Sequence, residues 1–143
     1  LLTRSIKTLS VRMKQHNENA IAVSNYLSNH PKIEKVFFPG NDKRHKEIAE
    51  KQMDGFGGMM SFVIDSDING VKTFLKNLNL FTLAESLGGV ESLIEHPAIM
   101  THASIDPSIR EKLGISETLL RISVGIEDVD DLISDLDQAL SKI

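Results

Sequence analysis

The 143-residue chain is 41% apolar and 25% charged, the balance of an ordinary globular domain rather than of a disordered or membrane-embedded one. Its 16 Lys and Arg against 20 Asp and Glu leave a formal charge of −4, and the basic residues are scattered, which sets nucleic acid aside as a partner. Cysteine is absent, so disulfides, thiolate nucleophiles and zinc–thiolate sites fall away together, no apolar run reaches the roughly 18 residues of a membrane span, and a cytoplasmic location is expected.

Leu2, Ile6, Leu9, Met13, Ala20, Val23 and Leu27 recur at steps of three and four, with Asn17 as a polar break, so residues 1–29 are predicted to form one long helix. At about 1.5 Å per residue such a helix is about 40 Å long, more than a domain of this size covers, and part of it is expected to pack on a segment outside this sequence. An opening at Leu1, without an initiating Met or a signal-peptide pattern, reads as the inside of a longer chain. Pro31 ends the helix, and Ile33 to Phe38 is predicted as a strand stopped by Pro39 and Gly40. A short helix around His45 to Gln52 and a turn at Gly55, Gly57 and Gly58 lead into the apolar strand Met59 to Ile64. Asp67 is placed to cap a helix whose Val71, Phe74, Leu75 and Leu78 face the core, and Leu80 to Leu83 returns as another strand. Residues 84–117 lack sustained periodicity apart from a helical stretch at Pro107 to Leu113, and irregular segments of this kind are where sites tend to lie. Thr118 to Val124 alternates, with Leu120, Ile122 and Val124 on one face and Arg121 on the other. A last helix buries Val129, Leu132, Ile133, Leu136, Ala139 and Leu140, with Glu127, Asp128, Asp130 and Asp131 in or near its first turn, where anions suit the dipole. The order of elements predicts an α+β domain, a mostly antiparallel sheet with helices on one face.

Two places could carry chemistry. Ser86, Leu87, Gly88 and Gly89 form a short loop in which consecutive N–H groups could converge on an anion, and the same residues also suit a plain tight turn. Arg121, on the polar side of a short strand, offers a planar fork for a carboxylate; taken alone, a solvated strand arginine is the plainer reading. His16, His30, His45, His96 and His102 show no metal-binding spacing and read as surface or loop residues, and Met59 and Met60 read as core. Hydrolase elbows, dinucleotide fingerprints and phosphate loops have no counterpart in the sequence.

The stretches "LAESLGGVESLIEHPAIMTHAS" and "LGISETLLRISVGIEDVDDLISDLDQAL", in this order and behind "LLTRSIKTLSVRMKQHNENA" and "HPKIEKVFFPG", are similar to the C-terminal domain of the trans-sulfuration enzymes, the pyridoxal-phosphate-dependent (PLP) family that makes and cleaves cystathionine. The resemblance covers almost the whole chain. It implies the small domain of a fold-type I PLP enzyme over residues 1–143, with 1–30 as the linking helix and the N-terminal cofactor domain outside the sequence. It implies that Arg121 binds the substrate α-carboxylate, that Ser86 and the Leu87 backbone add contacts to it, that Glu85 lies near the distal substrate arm and helps set specificity, and that Thr101 lies near the active site. None of the eleven lysines matches the family's cofactor lysine, so this chain alone is expected to be inactive, with no catalytic, cofactor or metal residues of its own. For the full-length protein the resemblance implies PLP, a small amino-acid substrate, a homotetramer, and cystathionine γ-lyase activity, with γ-synthase as the alternative. A stand-alone amino-acid-binding regulatory module is the rival from another class.

Overall fold

Apolar alternation decides which face of each strand is buried, and the sheet of this protein has one fully covered face. In the computed structural model, which describes residues 1–143 apart from the side chain of Arg44, the elements in chain order are α1 (Leu2–Ile6), α2 (Leu9–Ser28), β1 (Ile33–Phe37), α3 (Lys43–Gln52), β2 (Met59–Ile64), α4 (Ile68–Asn77), β3 (Thr82–Leu83), β4 (Leu93–Glu95), α5 (Pro107–Lys112), β5 (Leu119–Ser123) and α6 (Val129–Leu140). The five strands form one sheet in the order β1-β2-β5-β4-β3. All neighbours are antiparallel except β3 and β4. Met60, Phe62, Ile64, Ile94, Leu120 and Ile122 point to one face, where Val23 and Leu27 of α2, Phe74 of α4 and Leu132, Leu136 and Leu140 of α6 close the core. Phe62 and Phe74 meet edge-on at 6.2 Å between ring centres, a geometry aromatic pairs favour. The fold class is therefore the α+β arrangement read from the sequence.

Local chemistry explains the departures from that reading. The N-terminal helix is broken at Lys7 and Thr8, where the Thr8 hydroxyl (3.2 Å) and the Arg12 guanidinium (3.0 Å) both turn to the Ser5 carbonyl. Leu2, Ile6, Leu9 and Met13 are exposed, and the buried stripe begins at His16 and runs through Asn19, Ala20, Val23, Ser24 and Leu27. Asn17 is no break: its Oδ1 accepts the Phe56 N–H at 2.7 Å and so ties the glycine turn to α2. The strand foreseen at Leu80 shrinks to two residues because the N–H groups of Asn79, Leu80 and Phe81 donate to the carboxylate of Asp135 on α6, at 2.8, 2.8 and 3.2 Å. Met59 is half-buried on the other face of the sheet, whereas Met60 is core. The Asp67 cap forms as expected, accepting from Asn69 N–H at 3.0 Å and Gly70 N–H at 2.9 Å. His16 and His96 are buried rather than on the surface. Their Nδ1 and Nε2 donate to the carbonyls of Val124 (2.6 Å) and Glu117 (2.8 Å). Burial, the largest influence, holds the His96 pKa below the usual histidine range.

Candidate functional site

The opposite sheet face carries the polar residues. Strand register aligns Ser61 of β2, Arg121 of β5 and Glu95 of β4 across it, so the three side chains share one row. Arg121 neither floats in solvent nor stands alone: one terminal nitrogen donates to Glu95 Oε2 at 2.8 Å, with the Arg121 side chain 32% exposed and that of Glu95 3% exposed. The second Glu95 oxygen accepts from the Thr101 hydroxyl at 3.3 Å, and that hydroxyl lies 2.7 Å from His102 Nδ1. Thr101 thus joins the row through Glu95. A guanidinium has five donors in a fixed fork, and among the described residues only this one is engaged.

The loop that follows β3 is pinned to β4, to the end of β5 and to the segment after β5. Ala84 N–H reaches the Ile94 carbonyl at 2.9 Å, and Gly88 N–H donates to the Ser123 hydroxyl at 2.8 Å. Gly88 has φ 77°, a left-handed backbone that glycine adopts without the steric penalty of a Cβ. At the far end the Glu127 carboxylate takes both the Ser92 N–H (2.7 Å) and the Ser92 hydroxyl (2.9 Å), and the same hydroxyl accepts from Gly125 N–H at 2.8 Å. Asn19 of α2 completes the clamp by donating to the carbonyls of Gly125 (3.1 Å) and Glu127 (2.8 Å). Ser123 is two residues beyond Arg121 on the same face, or about 7 Å along a strand. A small cleft of about 100 Å³ opens there between Met13, His16, Met59, Leu87, Gly88 and Ser123.

These contacts revise the reading of the glycine loop. Gly88 N–H is committed to Ser123, and the Glu91 carboxylate occupies the space into which a side chain at Gly89 would project. What stays open is narrower: the Ser86 hydroxyl and the Leu87 N–H make no hydrogen bond among the described residues, and both residues are exposed. Glu85 is exposed beside them. The structure therefore brings Arg121 and Thr101 together through Glu95, and docks the Glu85–Leu87 loop two residues along the same strand. Sequence reading missed Glu95, Ser92, Ser123 and the use of Glu127. Glu127 counted as a helix-start anion, but Asp128 is the N-cap of α6 and Glu127 serves the loop.

The described residues hold no cluster of three or more metal-ligating side chains. They do not fit PLP either. Ten of the eleven lysines are exposed, and the half-buried Lys32 spends its ammonium on the carbonyls of Leu140 and Ile143, so no lysine stands near Arg121 in the low-dielectric setting that tunes a cofactor amine.

A helix-covered sheet whose other face presents one half-exposed guanidinium, braced by a buried carboxylate, defines an α+β domain able to hold a small carboxylate on its open side. The family model of the Cys/Met metabolism PLP-dependent enzymes matches residues 1–141. Cystathionine gamma-lyase of Dictyostelium discoideum is 54% identical over 144 residues, covering 99% of this chain and 37% of that protein. Cystathionine beta-lyase of Lactococcus lactis is 52% identical over 143 residues, with the same shares of 99% and 37%. The crystal structure of cystathionine gamma synthase from Xanthomonas oryzae pv. oryzae in complex with aminoacrylate and cysteine superposes with a TM-score of 0.92 at 46% identity, over 97% of this chain and 36% of that one. The chain belongs to the Cys/Met metabolism PLP-dependent enzyme family. It spans little more than a third of the length of the curated relatives it matches.

Proposed function

We propose that residues 1–143 are the C-terminal domain of a trans-sulfuration enzyme, a cystathionine γ-lyase, with residues 1–30 linking it to a larger domain that holds the cofactor. PLP, when bound in that larger domain, supplies the electron sink for the chemistry at the substrate. The residues of this chain bind and orient. Arg121 grips the α-carboxylate with the donors that Glu95 leaves free, Ser86 and the Leu87 N–H add neutral donors to the same group, and Glu85 faces the distal arm. Thr101 borders the site from the Glu95 side. The observation that carries this reading is the pairing of a half-exposed Arg121 with a loop whose Ser86 hydroxyl and Leu87 N–H are unengaged and which docks at Ser123. A guanidinium plus nearby N–H and O–H donors is what a desolvated carboxylate needs. The expected homotetramer and cytoplasmic location belong to the same proposal.

Cystathionine γ-synthase is the second reading, favoured by the superposition on the Xanthomonas oryzae enzyme. The full-length protein should release 2-oxobutanoate from cystathionine. Release of pyruvate instead would mean cleavage at the β-carbon, and turnover only with cysteine plus an activated homoserine would mean the synthase. A full-length gene that lacks a cofactor lysine upstream of this chain would favour the regulatory module over any enzyme.

A further inference from the structure

We infer that Glu95 is a positioning residue for the substrate carboxylate, acting through Arg121 by the length of its side chain rather than by its charge. The inference deepens the carboxylate reading of Arg121 and rests on it. Glu95 is 2% exposed on β4, directly opposite Arg121 in the antiparallel register. An anion buried so close to a carboxylate site opposes the very ligand that Arg121 is proposed to bind, and a buried ion pair is by itself weak evidence of stabilisation. Its geometry offers a better reason for its presence. Glu95 takes a single N–H of Arg121, so it fixes the plane of the guanidinium while leaving the remaining donors for a ligand. It is itself held from behind: its second oxygen accepts from Thr101, and its own strand is locked between β3 and β5. On the far side of Arg121 the register neighbour is Ser61, whose short side chain cannot take over this bracing. Without Glu95 the long arginine side chain is free among its rotamers.

Three variants of the full-length enzyme separate length from charge. Glu95→Asp keeps the charge and withdraws the carboxylate by about 1.5 Å, one C–C bond. Glu95→Gln keeps length and an acceptor oxygen but removes the charge. Glu95→Ala removes both. Because misplacement of a binding group by about 1 Å can cost on the order of a hundredfold, Glu95→Asp and Glu95→Ala should raise KM about ten- to a hundredfold with kcat within about threefold, and Glu95→Gln should recover most of the loss. Inhibition by hexanoate, a carboxylate without the amino group, should weaken by the same factor in the Asp and Ala variants, whereas inhibition by methyl hexanoate should not move; a merely structural defect would shift neither selectively. Should Glu95→Ala fail to fold, Glu95→Asp decides alone. The inference is overturned if Glu95→Gln is impaired more than Glu95→Asp, or if hexanoate binds the Asp variant as it binds the parent while Arg121→Ala loses it. If Arg121→Ala also binds hexanoate normally, the carboxylate reading of Arg121 falls first.

Discussion

Asp135→Ala should cost the domain about 3 kcal/mol of stability. Asp135 is 5% exposed, and its two oxygens collect the backbone N–H groups of Asn79, Leu80 and Phe81 and the side-chain amide of Gln138 at 3.1 Å. A buried donor stripped of its acceptor costs about 1–3 kcal/mol, more when the partner is charged. Phe81 is 4% exposed, so its N–H has no water to turn to, whereas Asn79 and Leu80 lie at the surface and recover most of their loss. One penalty of about 2 kcal/mol and two of about 0.5 kcal/mol give the sum. The pH dependence follows from the same geometry. Burial alone would raise the Asp135 carboxyl, but the N–H donors of Leu80, Asn79 and Phe81 together outweigh it and hold the group below the ordinary carboxylate range. A group depressed in the folded state contributes stability that is present above its unfolded value, about 3.9, and is lost as pH falls through the folded value. Urea unfolding followed by circular dichroism should therefore show the full gap between parent and Asp135→Ala at about pH 7 and a narrowed one at about pH 3. A loss under about 1 kcal/mol at neutral pH, or a gap that does not change with acid, refutes the reasoning.

Two further outcomes bear on the proposed function. Glu85→Val in the full-length enzyme should redistribute activity among sulfur amino acids while retaining turnover on at least one, because Glu85 is exposed and engages no other described residue; comparing kcat/KM across cystathionine, cysteine and homocysteine checks it, and loss on every substrate in a folded, cofactor-loaded protein would show that its role is different. The 143-residue chain alone should neither acquire a visible cofactor absorbance on incubation with PLP nor release a ketoacid from cystathionine, and either signal above blank would contradict the assignment of cofactor chemistry to another domain.

Much of the architecture is legible in local patterns. The apolar run Met59–Ile64 and the alternation along Leu119–Ser123 mark the central strands, and a carboxylate at Asp67 marks the start of α4. The side of the strand that Arg121 occupies follows from the period of two. What escapes is decided by partners far away in the chain. Glu95 takes its meaning from a residue 26 positions later, Ser92 from Glu127 35 positions later, and Asn17 from a turn 39 positions later. β4 is three residues long, too short to display a period, and it exists because β5 lies beside it. The helix break at Lys7 and Thr8 has no Pro or Gly to announce it.

The central claim is that Arg121 is the fork for the substrate α-carboxylate, and Arg121→Ala in the full-length enzyme tests it most directly. Truncating one partner of a desolvated, hydrogen-bonded charge pair costs about 2–5 kcal/mol, roughly thirty-fold to several-thousand-fold at about 1.4 kcal/mol per decade. The loss should appear in kcat/KM for every amino-acid substrate, with Arg121→Lys recovering only part of it, since an ammonium offers a point charge instead of a planar fork. A kcat/KM that stays within about threefold of the parent, the range of an exposed ion pair worth about 0–1 kcal/mol, would remove Arg121 from the site.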